Sequence, residues 1–489
     1  MVTPNLNADS NPPDILAKQK SRYFLTWRWH FYAGLFVIPF MLMLSITGLI
    51  MLFDDEIESA RYGEVLSVNS SAYSSQEPLP VSEQLAAVQQ AYPDGTVTQF
   101  VPATSSEVTN RFSVTMADES TQFVLVNPYN ADITGTIDRS DSWYQLANDI
   151  HGTLLIGDVG DYLIEIAASL TVILLVSGIY LWLPNDNARR AGFLKIRTDN
   201  GSRILLRDLH ANIGGVLSIV LLFFVLSGLA WAGIWGAKIV QPWGSFPAQK
   251  WDDVPVSDLN HKALNHGSEE EMPWNLELTP LPESNAHVHG EETTSGSSAG
   301  NAEKAGMATK QIGIDRVVNE AKALGFAQYK LNFPRSETGV FTVSANTMSG
   351  DITDPTQDRT THIDQYTGKV LADVTWNEYN MIAKAMAAGI ALHQGDISII
   401  NKIANVVFCL AFILIAVTGA LMWWQRRPTG QRKLGAPPKA LDSGLWKVGV
   451  VSVALVCVAF PMAGLTIVAL MVIDALICRY MTTFKEALS

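Results

Sequence analysis

Five long apolar runs, Phe31–Phe53, Ile164–Leu183, Ala211–Trp235, Ile403–Trp424 and Val448–Ile473, constrain this chain to a membrane fold. A helix rising about 1.5 Å per residue needs roughly 20 residues to cross a hydrocarbon core of about 30 Å, and each of the first four runs is near that length. Charge is correspondingly scarce: 48% of the 489 residues are hydrophobic and 17% are charged, low for a soluble protein of this size. The fifth run is too long for one plain span and holds Pro461 near its middle. It reads as one kinked helix or two half-helices, and the residues leave both open.

Basic residues set the expected orientation. Lys18, Lys20, Arg22 and Arg28 precede the first run, Arg189, Arg190, Lys195, Arg197, Arg203 and Arg207 separate the second from the third, and Arg426, Arg427, Arg432, Lys433 and Lys439 follow the fourth. By the positive-inside rule these segments face the cytoplasm, and 54–158 and 237–400 lie outside. The polar first twenty residues carry no cleavable signal pattern, so the first helix is expected to act as its own insertion signal. A net charge of −13, held mainly on the outer segments, leaves no basic face for nucleic acid. Cys409, Cys457 and Cys478 all lie in apolar runs, so no disulfide is expected in the outer segments.

The chain reads as an internal duplication. His30 is followed by Gly34 and, seventeen and eighteen residues on, by Thr47-Gly48; His210 is followed at the same offsets by Gly214 and by Ser227-Gly228. His151 leads to Ser177-Gly178 and His393 to Thr418-Gly419, at offsets that differ by one. In the outer segments, helical spacing over Pro80–Tyr92 and Ile314–Leu324 precedes short alternating stretches, TVTQFV with RFSVTM and YKLNF with VFTVSA. Hairpin signals follow, VLVNPYNADITGTI and THIDQYTGKVLADV.

The fold expected is a membrane all-α bundle of four main transmembrane helices plus a C-terminal apolar kinked helix or helix pair, with two small outer α+β modules. In order these are a cytoplasmic segment (1–29), the first span (30–53), module 1 (54–145), and an outer histidine segment with the second span (146–183). A cytoplasmic loop (184–209), the third span (210–236), a partly mobile outer insertion (237–308) and module 2 (309–385) follow. Last come a second outer histidine segment with the fourth span (386–424), a basic loop (425–445), the broken apolar segment (446–478) and a tail (479–489). Within the insertion, HVHGEETTSGSSAGNAEKAG is acidic and rich in small residues, the composition of a mobile loop.

Four of the nine histidines, His30, His151, His210 and His393, occupy matching places in the duplicated membrane units. Topology puts His30 and His210 at the cytoplasmic edge and His151 and His393 at the outer edge. A polar ring at such a depth is costly and marks a functional site by default, although a helix cap or an interfacial hydrogen bond would also account for any one of them. A proton relay would bring intramembrane carboxylates, and the cores of the first four helices are read as having none. Two facing imidazoles at one depth suit a six-coordinate haem iron. The pattern therefore points to two b-type haems, an inner one on His30 and His210 and an outer one on His151 and His393.

Gly34 and Gly214, four residues after their histidines and on the same helix face, would let a flat macrocycle approach the backbone, or simply allow close helix packing. Arg28 and Arg207 are candidates to pair with haem propionates, or plain positive-inside anchors. His287-Val-His289 is a weak candidate metal site, His362 reads as an ordinary strand residue, and His261 and His266 carry no usable spacing. There is no dinucleotide fingerprint or phosphate loop. Electrons must then come from a separate cytoplasmic or membrane donor.

WRWHFYAGLF with ITGLIMLF, DIHGTLLIGDVGD with VSGIYLWLP, DLHANIGGVL with LSGLAWAG, and LHQGDISIIN with VTGALMWW give the chain its family likeness. With these motifs the chain resembles the PepSY-associated transmembrane helix family of bacterial inner-membrane proteins, in particular the iron-regulated, ferric-siderophore-reductase type, and its outer modules look like periplasmic PepSY domains. The resemblance implies a di-haem b conduit that carries electrons from cytoplasm to periplasm, where iron held by a siderophore or another ferric chelate is reduced and released. Two rivals use the same residues differently: a cofactor-free transporter or proton-coupled carrier, and a regulatory or scaffold protein acting through its PepSY modules.

Overall fold

A computed structural model describes residues 13–73, 76–184, 190, 192–244, 253–265, 271–284, 311–428, 434–438 and 446–480. Helices α1 (Pro13–Leu52), α2 (Asp54–Leu66) and α3 (Val81–Ala91) precede strands β1 (Thr96–Val101), β2 (Asn110–Thr115), β3 (Thr121–Val126) and β4 (Ile133–Asp138). Next come α4 (Trp143–Thr153), α5 (Asp158–Trp182), α6 (Ser202–Val216), α7 (Ser218–Leu229) and a π-helical turn at Trp235–Val240. Strands β5 (Val256–Asn260) and β6 (Pro280–Pro282) lead to α8 (Ile314–Ala323), β7 (Lys330–Asn332), β8 (Val340–Ala345), β9 (Arg359–Asp364) and β10 (Val370–Thr375). The last four helices are α9 (Met381–Gln394), α10 (Ile399–Arg426), α11 (Lys447–Ala459) and α12 (Pro461–Tyr480). Two compact units result, one of Met1–Leu49, Ile150–Val240 and Asn405–Ser489, the other of Ile50–Asp149 and Gln241–Ala404.

The first unit is helical. Three helices, Ala17–Leu52, Asp158–Trp182 and Ile399–Arg426, are long and apolar enough to cross a membrane, and α6 with α7 makes a fourth candidate bent by 61°. Its core gathers Val37, Leu170, Ile173, Val225, Leu229, Phe460 and Ala463. The third apolar run, expected as one span over 210–236, is broken at Leu217. The cause is local: the Ser218 hydroxyl donates to the Gly215 carbonyl (2.8 Å), and the Trp182 ring lies so close to Gly215 that a Cβ there would stand 2.3 Å from it.

The reading of carboxylate-free helix cores is corrected by Glu165. It lies inside α5 with 1% of its surface exposed, and its two oxygens accept from the backbone N–H groups of Ile234 (3.0 Å) and Trp235 (3.1 Å). Asp161, one turn earlier, accepts from Gly233 (2.9 Å). Because α7 ends at Leu229 and the chain winds again only at Trp235, these N–H groups have no carbonyl below them. The two carboxylates take that role. The fifth run resolves into two helices, α11 and α12, with Pro461 as the first residue of α12, where a missing N–H costs nothing. Phe460 at the break stacks on Trp235 (5.9 Å between ring centres), and the Trp235 indole donates to the Ala459 carbonyl (3.0 Å).

The second unit is built on an eight-stranded antiparallel sheet in the order β10-β9-β8-β7-β1-β2-β3-β4. The stretches read as strands form them, but as one sheet rather than two separate modules. Both β1 and β7 would be open edges, and they pair with each other through Gln99 with Asn332 and Phe100 with Leu331. Strand alternation puts Phe100, Phe112, Val114, Val124, Leu331, Phe341, Val343 and Ile363 on one face, buried against Val88 of α3 and Val317, Val318 and Ala321 of α8.

Gln99, Ser113, Asn332, Thr342, Ser344, Thr360 and His362, on the opposite face, are polar and equally buried. Residues 253–265 and 271–284, parts of the expected mobile insertion, pack there. Gln99 donates to Glu271 (2.8 Å), Asn346 to the Glu271 carbonyl (3.0 Å), and the Gln365 amide to Ser284 (3.0 Å). Met272, Trp274 and Leu276 are nearly inaccessible. A polar segment is ordered here because a polar sheet face supplies its hydrogen-bond partners. The HVHGEE stretch with His287 and His289, and also His266, lie outside the described residues.

Candidate functional site

His30 is carried by α1. Its Nδ1 lies 3.0 Å from Ser177 Oγ on α5, and that hydroxyl donates to the Ile173 carbonyl (2.6 Å), so it accepts the imidazole N–H. Gly178 follows, and a Cβ on it would stand 3.1 Å from His30 Cε1. His210, on α6, is held alike by α10: Nδ1 is 2.9 Å from the Ile415 carbonyl and 3.5 Å from Thr418 Oγ1, and a Cβ on Gly419 would stand 3.2 Å from Cε1. His151, on α4, has Nδ1 2.8 Å from Thr47 Oγ1 of α1, whose hydroxyl donates to the Met43 carbonyl (2.9 Å). Gly48 is beside it, its added Cβ 3.9 Å from Cε1.

Each of these small-residue–glycine pairs therefore receives a histidine from another helix. A carbonyl oxygen only accepts, so His210 carries its proton on Nδ1 and keeps the lone pair on Nε2. Ser177 and Thr47, whose hydroxyls donate into their own helices, favour the same tautomer in His30 and His151. In that tautomer the lone pair that a metal would take is on Nε2, with Nδ1 held by a neighbouring helix.

His30 and His210 come together. Their ring centres are 6.2 Å apart and their planes nearly perpendicular, at 87°. His393 lies near the end of α9, which Gly395 terminates in the left-handed region (φ +93°). It belongs to the second unit and His151 to the first. A Cβ at Gly34 would meet only Leu174, at an ordinary 3.7 Å, and one at Gly214 would meet nothing within 4 Å. Among the described residues, packing thus demands neither glycine. Arg28 donates to the Pro437 carbonyl (2.6 Å) and the Tyr32 hydroxyl (3.1 Å), and Arg207 to Asp208 (3.0 Å). Both guanidinium groups thus make bonds within the protein. Among the described residues no three or more His, Cys, Asp or Glu side chains are grouped to hold a bare metal ion.

Two features escaped the sequence. The hydroxyls of Ser177, Thr418 and Thr47 belong to pairs whose repetition was visible, but their histidine partners are on other helices. His261 and His362 meet Nε2 to Nε2 at 2.9 Å, both fully buried in the second unit. His261 Nδ1 lies 2.9 Å from the Thr279 carbonyl and His362 Nδ1 3.0 Å from the Thr342 hydroxyl. One consistent chain of donors follows: Thr342 to His362, His362 to His261, His261 to Thr279. Burial lowers the His261 pKa to about 4, and burial with the neighbouring imidazole pushes His362 well below its usual value.

A family model described as the PepSY-associated TM region matches residues 27–426. No curated protein matches the chain.

Proposed function

The chain belongs to the PepSY-associated TM family, whose model spans most of it, and from that premise we propose that it is a di-haem b electron conduit of the bacterial inner membrane. In this reading His30 and His210 would hold an inner haem, and His151 and His393 an outer one. The basic loops face the cytoplasm and the sheet unit the periplasm. The two halves are a duplication, each contributing one histidine to each layer.

The observation that carries the proposal is the closeness of the His30 and His210 rings. Two imidazoles that meet one metal from opposite sides, with metal–nitrogen bonds of about 2 Å, have ring centres about 6 Å apart; theirs are 6.2 Å apart. The open space at Gly214, one turn from His210, suits a flat group lying against α6. A haem bound there supplies a one-electron iron couple. The protein's own contribution is to hold the imidazoles in one tautomer and to exclude water with the apolar helices around them. Electrons would enter from a separate cytoplasmic or membrane donor and leave to a periplasmic ferric siderophore or other ferric chelate, which binds iron more weakly once it is ferrous.

Glu165 is the observation that favours the rival, a cofactor-free proton carrier. Both of its oxygens are occupied by backbone N–H groups, which suits a structural clasp better than a proton shuttle. The test is selective loss. His30→Ala should remove one haem and His151→Ala or His393→Ala the other; any single variant that abolishes both, or His30→Ala removing the outer one, contradicts the assignment.

A further inference from the structure

We infer that Ser177-Gly178, Thr418-Gly419 and Thr47-Gly48 are positioning elements for His30, His210 and His151, each built from a hydroxyl or carbonyl that takes the Nδ1 proton and, at Gly178 and Gly419, a glycine that admits the ring. The pattern has three parts in helix register. At position i−3 stands a carbonyl, which at Ile415 accepts the proton of His210 (2.9 Å). At position i is the hydroxyl, which donates back into its own helix, Ser177 to Ile173 (2.6 Å) and Thr418 to Leu414 (2.6 Å), and so meets the imidazole as an acceptor. At i+1 is the glycine, where the imidazole edge comes within 3.1 Å of the missing Cβ at Gly178 and 3.2 Å at Gly419.

A Cβ at Gly178 or Gly419 would press on the ring and shift Nδ1 from its acceptor. The small-Gly pairs, which look like sites for helix packing, are therefore receptors for histidine. Their effect on a bound metal is indirect. An acceptor on Nδ1 makes Nε2 a stronger donor and favours the ferric state, so weakening the acceptor raises the reduction potential of that centre alone. This consequence rests on the di-haem reading, whereas the tautomer does not.

The experiment therefore has two readouts on the full-length protein. Solid-state 15N spectra of histidine-labelled protein distinguish a protonated Nδ1 from a protonated Nε2 whether or not a cofactor is bound. The expected result is Nδ1–H at His30, His210 and His151, with the bias at His30 reduced in Ser177→Ala and restored in Ser177→Thr. Redox titration is the second readout. Ser177→Ala should raise the midpoint of the inner centre only, and Thr47→Val that of the outer centre only. Gly178→Ala, which crowds the ring, should perturb its centre more than Gly48→Ala, whose Cβ would sit at an ordinary 3.9 Å. Nε2–H histidines in the unsubstituted protein, or unshifted spectra and midpoints in Ser177→Ala and Gly178→Ala, overturn the inference. A colourless protein with Nδ1–H histidines instead refutes the haem and leaves the receptors supported.

Discussion

A carbonyl oxygen has no proton to give, and that one fact sets the chemistry of His210: beside the Ile415 carbonyl it must present a bare Nε2. The four histidines of the apolar helices were legible because ring and glycine recur at fixed helical offsets. Their hydroxyl partners were not, since hydrogen bonds between helices far apart in the chain leave no periodicity. His261 and His362 show the same limit more sharply, as they lie 101 residues apart and meet only after the insertion folds over the sheet. Their chemistry gives a pH prediction. Both are neutral when folded and have pKa values below the usual 6.5, to about 4 for His261. The unfolded chain binds the protons first, so their contribution to stability is intact above about pH 6.5 and is lost as pH falls from there toward about 4, at up to about 1.4 kcal/mol per pH unit for each group. Thermal unfolding of the second unit should accordingly shift to lower temperature on acidification, with a shallower slope in His261→Gln. The same pH slope with and without His261 would show that the pair is not the source.

At the scale of elements, alternating polar and apolar residues marked the strands well, because one sheet face packs on α3 and α8. The break in the third span was hidden inside an unbroken apolar run. Its determinants are the Ser218 hydroxyl and the contact of Trp182 with Gly215, while two carboxylates from α5 hold a second gap, between Leu229 and Trp235. Hydropathy reports none of these. Glu165 is the most exposed to test, because its two oxygens bond two successive N–H groups in that second gap. Glu165→Gln keeps its size but exchanges one acceptor oxygen for a donor amide, leaving a buried N–H without its partner. A loss of about 1–3 kcal/mol is expected, read from unfolding of the detergent-solubilised protein in denaturant. Unchanged stability would mean that the clasp contributes nothing and would revive Glu165 as a proton carrier.

For the whole molecule, the family and the membrane character were readable from composition and motif, because apolar length and recurring His-Gly spacing survive in sequence. The joining of two strand sets into one sheet was not, since it depends on a two-residue pairing between β1 and β7. Nor was the burial of the insertion, whose polar composition says nothing about the polar face that awaits it. The central claim is that the paired histidines hold haem, and the reduced-minus-oxidised visible spectrum of the detergent-purified, full-length protein tests it most directly. The account predicts a red protein with a sharp b-type α-band and two haems per chain by extraction. A colourless preparation from haem-replete cells would contradict it.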